Sequence, residues 1–401
     1  MCPRFGDAYT LTERVDSIKN DIAFYRIGKC REKGLDTLDL AGCRFAFLPD
    51  ELASVPVGIG AKGLGGLIVD LNLARNQLFN SDSVFHVLQG LNLLKRLSIA
   101  NNFLNGRLSE LSGNLLELEE LDLDGNQLTG LPESCGNWKK LKVFSVGGNM
   151  IEELPDGIQY WENLEMCSLR ENKFKLLNEN VGCWKKMKRL FLGTNELSSL
   201  PNSIENMTDL VELDVRKNQL LELPESLIAC TKIEHLNLGD NKLTSLPLTL
   251  ITNLVNIQEL YLYRNKLENL PSELGLLKGL TKFSASKNNL KSLPEEMGEL
   301  QNLTELYLNG NAKFSSLPTS MGKLHLLREL ALRGCPKLKS LPKQLEDCSG
   351  LMELDLRTMG KKDVCKVPQE VTDKLMEHKC IVRGAVIKKA KKGKGGGKKK
   401  K

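Results

Sequence analysis

The chain has 401 residues, of which 41% are hydrophobic and 26% are charged, and its formal net charge is +6. This composition excludes a wholly disordered chain, and no stretch approaches the roughly 18 consecutive apolar residues that a membrane-spanning helix needs. Nine lysines near the C-terminus exceed the net charge, so the rest of the chain is slightly acidic.

The N-terminal segment, residues 1–34, is predicted to be a helical cap. Val15, Ile18, Ile22 and the apolar residues within 24–27 recur at helical spacing. An amphipathic helix of this kind can cover the exposed end of a stacked core.

A leucine-rich unit with the frame LxLxxNxL repeats from residue 35 to residue 360, with most copies 23 or 24 residues apart. Fourteen copies are found when two cysteines and one methionine are accepted in the asparagine position: Cys43, Asn76, Asn102, Asn126, Asn149, Asn172, Asn195, Asn218, Asn241, Asn265, Asn288, Asn311, Cys335 and Met359. Each copy supplies one short strand and cannot bury its leucines alone, so neighbouring copies must stack. We therefore predict an α/β leucine-rich-repeat solenoid, a curved horseshoe with a parallel sheet on its concave face.

The second half of each unit, LPxxIxxLxxL, places a proline where the chain leaves the strand. Because proline lacks a backbone donor, we expect short helical or 3₁₀ turns to follow it on the convex face. The recurring asparagine can satisfy backbone groups at the bend through its amide, and a small cysteine thiol can replace it.

A glycine-rich insertion near residues 56–66 lengthens the step from Cys43 to Asn76 to 33 residues. It contains a GxGxxG match, Gly58 to Gly63, that leads directly into a repeat strand. A dinucleotide site would need a preceding strand and a following helix, so we interpret the match as a loop and predict no cofactor.

Trp138, Trp161 and Trp184 are spaced 23 residues apart and share a slot that leucine or methionine fills in other copies. We expect this column to be core packing rather than an aromatic binding stripe.

The C-terminal segment 361–387 is predicted to be a second cap. Val371, Leu375 and Met376 favour a short helix, and the segments 380–382 and 385–387 favour strands.

The unit is similar to that of intracellular leucine-rich-repeat proteins of the Ras suppressor and plant Ras-group-related families. The likeness spans roughly Leu38 to Met359. It implies binding of partner proteins on the concave face, in intracellular signalling. The lysine-rich tail and the glycine-rich insertion are departures from that group.

Strand alternation directs the residue between the two strand leucines outward. Aromatic and arginine side chains, which often anchor protein interfaces, accumulate at these positions and just after them. We predict a concave protein-binding face at Phe191, Arg216, His235, Tyr261, Tyr263, Arg264, Tyr307 and Asn309. The alternative is that exposed strands favour aromatic residues by propensity alone. Glutamates one position before the strand leucine make the face mixed in charge, which suits a protein better than a polyanion.

The tail from residue 388 to residue 401 is predicted to be disordered, because it is almost devoid of apolar residues. Its lysines could contact a polyanion such as RNA, an anionic lipid or an acidic protein: Lys388, Lys389, Lys391, Lys392, Lys394, Lys398, Lys399, Lys400 and Lys401. An alternative function is therefore that of an accessory protein in a nucleic-acid complex; a tail that only aids solubility is also open.

No enzyme or metal site is predicted. The four histidines lack the close spacing of a zinc pair, and neither a nucleophile elbow nor a P-loop occurs. The eleven cysteines are scattered singly, without a CxxC pair. We therefore expect reduced, buried thiols in an intracellular protein, in the cytoplasm with the nucleus as a further option.

Overall fold

The computed structural model describes residues 22–49, 52, 64–357, 365–384 and 386–388. The chain divides into two compact units: Met1–Leu220 with Ser226–Cys230, and Leu221–Glu225 with Thr231–Lys401. Most of the glycine-rich insertion, including the GxGxxG match, and the lysines after Lys388 lie outside the described residues.

The described part of the first unit contains a sheet of parallel strands, one from each repeat, in chain order. These strands are β1 Thr37–Asp39, β2 Asp70–Asn72, β3 Arg96–Ser98, β5 Glu120–Asp122, β7 Val143–Ser145, β8 Met166–Ser168, β9 Arg189–Phe191 and β10 Glu212–Asp214. Two further strands, β4 Asn105–Arg107 and β6 Gln127–Gly130, pair with each other. Residues 22–33 form helix α1, which lies within the segment predicted to be the N-terminal cap; residues 1–21 lie outside the described residues.

The described part of the second unit repeats this arrangement. Its parallel strands are β11 His235–Asn237, β12 Glu259–Tyr261, β13 Lys282–Ser284, β14 Glu305–Tyr307, β15 Glu329–Ala331, β16 Glu353–Asp355 and β18 Ile381–Arg383. A separate pair joins β17 Lys366–Pro368 to β19 Val386–Lys388. The short helix predicted around Val371 is α4, Gln369–Glu377.

Short helices occupy the second half of the repeats. Most of them directly follow a proline with φ near −70°, as Pro201 precedes Asn202–Asn206. Two are α-helices, α2 Ser81–Leu88 and α3 Leu248–Asn253. The 3₁₀ helices are Leu64–Gly66, Glu110–Asn114, Glu133–Asn137, Asp156–Tyr160, Glu179–Cys183, Asn202–Asn206, Glu225–Ala229, Ser272–Leu276, Glu295–Glu299, Thr319–Lys323 and Lys343–Asp347. The predicted order of strand, bend and helical turn is therefore confirmed.

The asparagines form the predicted buried ladder. The amide nitrogen of Asn172 donates to the carbonyl of Leu169 at 3.2 Å and, one repeat back, to that of Val146 at 2.9 Å. Its oxygen accepts from the backbone N–H of Ile151 at 3.0 Å. Cys335 stands in the same slot, and its thiol donates to the carbonyl of Leu308 at 3.4 Å. One side chain thus satisfies backbone groups of two repeats, which locks their register.

The three tryptophans are fully buried, which confirms the prediction of core packing. Neighbouring indoles stack with ring centroids about 6 Å apart. Each indole N–H donates to a carbonyl of the preceding repeat, as Trp161 Nε1 does to Cys135 at 2.8 Å. The thiol of Cys230 makes the equivalent bond to Ile204 at 3.4 Å. Aromatic packing and a satisfied donor therefore coincide in this column.

The ten cysteines in the described part of the chain are free, and all except the half-buried Cys183 are buried. Burial raises the pKa of the Cys135 and Cys230 thiols to about 12. These thiols are protonated and unreactive at neutral pH, as the prediction of buried, reduced cysteines requires.

Candidate functional site

In each unit, the outward side of the sheet carries the residues that flank the buried middle residue of every strand; we call it the sheet face. In β12, for example, Leu260 is buried, whereas Glu259 and Tyr261 on either side are half-buried. The sequence prediction of outward positions is therefore confirmed. Small residues in the outward column, such as Ser284 and Ala331, are nevertheless buried because taller side chains stand on the neighbouring strands.

Six of the predicted contact residues lie in the second unit: His235, Tyr261, Tyr263, Arg264, Tyr307 and Asn309. Four of them, His235, Tyr261, Tyr263 and Tyr307, lie in or just after strands β11, β12 and β14. Arg264 lies in the turn after β12, where its φ is 53° and Nη1 is 3.1 Å from Asp240 Oδ2. Asn309 also follows a strand, and its side-chain oxygen accepts the backbone N–H of Arg333 at 2.8 Å.

The hydroxyls of Tyr261 and Tyr307 do not extend freely into solvent; they are bound to glutamates. The hydroxyl of Tyr261 donates to Glu259 Oε2 at 2.9 Å. Burial, then the hydrogen bond to this carboxylate, raises the pKa of Tyr261 far above its usual value. These bonds restrict the rings of Tyr261 and Tyr307 and so reduce their side-chain freedom.

Glu259 is also surrounded by cationic and polar partners. Lys282 Nζ lies 3.1 Å and His235 Nδ1 lies 3.5 Å from its carboxylate oxygens. Burial alone would raise the pKa of Glu259, but the hydrogen bonds from Tyr261 and Lys282 and the charge of Lys282 outweigh it and lower the pKa. Glu259 is therefore an ionised anchor for three neighbouring side chains.

The ring of Tyr263 covers Gly239, the equivalent position of the preceding repeat. A β-carbon on Gly239 would overlap the Cζ and Cε1 atoms of that ring. No prediction was made for this glycine, although glycine alternates with a large residue at one repeat position: Gly193, Arg216, Gly239 and Tyr263.

Phe191 and Arg216 belong to the first unit. Phe191 is half-buried at the end of β9, beside Asp214 in the register of the sheet. The guanidinium of Arg216 lies 3.4 Å from Asp214 Oδ2, and burial raises the pKa of that carboxyl group. The two predicted residues are therefore brought onto neighbouring strands.

The first unit also has a cleft of about 530 Å³ on its sheet face that the sequence analysis did not predict. Its polar lining includes Asp122, whose carboxylate accepts the Ser98 hydroxyl at 2.9 Å, and Asp124, which is 3.1 Å from Arg170 Nη2. The described residues of both units contain no group of histidine, cysteine and acidic side chains arranged to hold a metal ion.

No helix among the described residues is long and apolar enough to cross a membrane. The lysine tail, apart from Lys388 at the end of β19, lies outside the described residues, so its predicted contacts remain predictions.

Two family models, both described as leucine-rich repeat, match residues 208–267 and 117–138. Each unit has the strand, ladder and 3₁₀ turn of that repeat, so each unit is a leucine-rich-repeat solenoid. Comparison with curated proteins gives no significant match.

Solved structures give broader matches. A leucine-rich-repeat protein of Leptospira interrogans is 27% identical with a TM-score of 0.69, and the match covers 88% of this chain and 97% of that one. A TDR receptor is 23% identical with a TM-score of 0.65, covering 85% of this chain and 62% of its own. The functional domain of InlJ from Listeria monocytogenes is 19% identical with a TM-score of 0.61, covering 80% and 67%. The last two show similarity of fold alone.

Proposed function

We propose that the protein is a non-catalytic scaffold that binds a protein partner on the sheet face of its second unit. The observation that carries the proposal is the set of tyrosines, Tyr261, Tyr263 and Tyr307, held half-exposed on neighbouring parts of one sheet. Large aromatic side chains that are fixed before binding bury much area at little entropic cost. Leucine-rich-repeat proteins generally act as interaction scaffolds, which supports the same function.

The mixed charge of the face favours a protein over a nucleic acid. Glu259, Glu305 and Glu329 lie on one edge of the tyrosines, whereas Arg264 and Arg333 lie on the other. A phosphate backbone would be repelled by the glutamates, while a folded or extended protein can present both signs of charge.

We further propose an intracellular setting, in signalling or a related scaffold role. The free, buried cysteines support it, because secreted proteins of this kind more often use disulfides. Some of the solved structures that share the fold are receptors, so the setting needs its own test. Localisation of the tagged full-length chain in its native cell would decide it.

Affinity purification from the native cell tests the binding function. The variants are Tyr261→Ala with Tyr307→Ala on the sheet face, and Tyr160→Ala, an exposed tyrosine of a 3₁₀ helix, as the matched control. We expect one defined protein to be retained by the wild type and the control and lost from the double variant. Retention by all three would place the interface elsewhere.

A form truncated after Ile387 tests the alternative. One outcome is that the purified material is RNA or an RNA-associated protein that is lost with the tail or at raised salt. In that case the tail lysines make the contact, and the scaffold proposal fails. A protein partner that the truncated form retains supports binding on the sheet face.

A further inference from the structure

A row of charged side chains, four glutamates and one lysine, crosses the sheet face of the second unit, and the glutamates differ in how their charges are neutralised. The strand register aligns Glu259, Lys282, Glu305, Glu329 and Glu353 side by side on β12 to β16. Glu259 is bound by Lys282, and Glu353 lies 2.9 Å from Arg383 Nε. Glu305 and Glu329 have no ion pair with any described residue of the second unit. Lys282 attracts Glu305 electrostatically, but the two side chains do not form an ion pair.

Glu305 and Glu329 converge on one hydroxyl group. The oxygen of Tyr307 lies 3.0 Å from Glu305 Oε2 and 2.8 Å from Glu329 Oε2. A phenol has a single proton and can donate to only one carboxylate at a time. Burial, and then these carboxylates, raise the pKa of Tyr307, so the proton stays on the phenol at neutral pH. Two negative charges therefore share one donor, and an added cation would relieve their repulsion.

The side chain of Tyr307 is half-buried at the end of β14. The register partners of Tyr307 are Ser284 on β13 and Ala331 on β15, both small and buried. The next large aromatic side chain in the column, Tyr261, is two strands away, which is roughly 10 Å at the usual strand spacing. Neither neighbouring strand therefore carries a large side chain at this outward position, so the exposed part of the ring has no aromatic partner in register.

We propose that Glu305, Glu329 and Tyr307 form a subsite for an arginine side chain of the protein partner. A guanidinium is planar and forked, so it can bridge two carboxylates and stack on a tyrosine ring at the same time. A lysine ammonium offers the charge without the plane, and it binds the subsite more weakly. This inference rests on the proposed function, because it assigns chemistry to a partner of the same face.

Selection from a random heptapeptide library displayed on phage, with the full-length chain as target, tests the subsite. Counter-selection uses the isosteric double variant Glu305→Gln with Glu329→Gln. We expect one arginine position to be enriched on the wild type and not on the variant. The best peptide is then synthesised with arginine, lysine or uncharged citrulline at that position, and its affinity is measured by calorimetry.

The citrulline peptide and the double variant should each bind at least about tenfold more weakly, and the lysine peptide should fall between. Tyr307→Phe keeps the ring and both carboxylates, so it should retain the affinity, whereas Tyr307→Ala should lose it. Glu120→Gln, a sheet-face glutamate of the first unit, is the matched control and should change nothing. Equal binding of arginine and citrulline peptides, or an unchanged affinity of the double variant, would overturn the proposal.

Carbodiimide cross-linking of the full-length chain without a partner tests whether the protein's own lysine tail occupies the subsite. A link within one chain from a tail lysine to Glu305 or Glu329 would assign the carboxylates to the protein's own tail and overturn the arginine subsite. Loss of the native partner from the Tyr261→Ala and Tyr307→Ala double variant, without any arginine selectivity, would leave the proposed function standing while the subsite fails.

Discussion

The ring of Tyr263 lies on the α-carbon of Gly239, one repeat earlier at the same position of the leucine-rich unit. The backbone N–H of Asp240 donates to the Tyr263 carbonyl at 2.6 Å, so the two repeats are tied together beside the ring. Glycine is required here because any side chain would occupy the place of the ring. The orientation of a predicted contact residue thus depends on a glycine in the preceding repeat.

The effect of Gly239→Ala is expected to depend on Tyr263. In the wild type the added methyl group overlaps the ring and should cost about 1–3 kcal/mol of unfolding free energy. In a Tyr263→Ala background the same substitution should cost less than about 0.5 kcal/mol, because the ring is gone. Urea denaturation of the four members of this double-mutant cycle measures the difference. Equal costs in both backgrounds would contradict the packing described for Tyr263.

A second prediction concerns Thr194, which precedes the ladder residue Asn195 and has a φ of 60°. Glycine or asparagine is preferred in this left-handed region, and a β-branched residue is strained there. Thr194→Gly is therefore expected to raise the unfolding free energy by about 1 kcal/mol. Thr208→Gly is the matched control at an exposed position without a positive φ, and it should lower the stability slightly. Thermal and urea unfolding compare the two; destabilisation by Thr194→Gly would show that the strain is absent.

The asparagine ladder predicts a ranking of substitutions at Asn288. Its amide donates to the carbonyls of Leu262 at 2.9 Å and Ala285 at 3.0 Å, and its oxygen accepts the Leu267 N–H at 3.0 Å. Asn288→Leu leaves these buried groups unpaired and should cost about 3 kcal/mol or more. Asn288→Cys should cost less, because Cys335 shows that a thiol in this slot still donates to the previous repeat. If chemical denaturation gave the leucine and cysteine variants the same free energy of unfolding, the hydrogen bonds of the ladder would contribute little to stability beyond the volume that the side chain fills.

Acid should destabilise the protein partly through Glu295. Its carboxylate accepts the backbone N–H groups of Ser320 at 3.0 Å and Thr319 at 3.2 Å, one repeat along. The hydrogen bond from Ser320, above all, lowers the pKa of Glu295 below the usual 4.5, although burial opposes it. A carboxylate with a lowered pKa adds stability above its unfolded-state pKa, and this stability is lost as the pH falls through the folded-state pKa.

Glu295→Gln should therefore lower the melting temperature near neutral pH and flatten its decline from about pH 5 downward. Glu296→Gln provides the control, since no described backbone N–H group of the second unit is directed at that neighbouring carboxylate. Calorimetry over this pH range would reject the role of Glu295 if both variants kept the slope of the wild type.

The sequence by itself determined the repeating part of this protein. The 23- or 24-residue period, the leucines and the asparagines recur because every copy must bury the same atoms against its neighbours. The strands, the proline-started turns, the ladder and the tryptophan column could therefore be predicted, whereas the short helix at Val371 was predicted from its own apolar spacing. The outward direction of Tyr261 and Tyr307 followed from strand alternation alone.

Only the tertiary structure decided what those outward residues do. Which hydroxyl meets which carboxylate depends on strand register and rotamers between repeats, as in the convergence of Glu305 and Glu329 on Tyr307. The packing of the Tyr263 ring on Gly239 arises in the same way. These contacts join unlike residues of neighbouring repeats, so a periodic pattern of residue types does not specify them. The residues that all repeats share determine the core. The contacts on the sheet face depend instead on which different side chains lie on neighbouring strands.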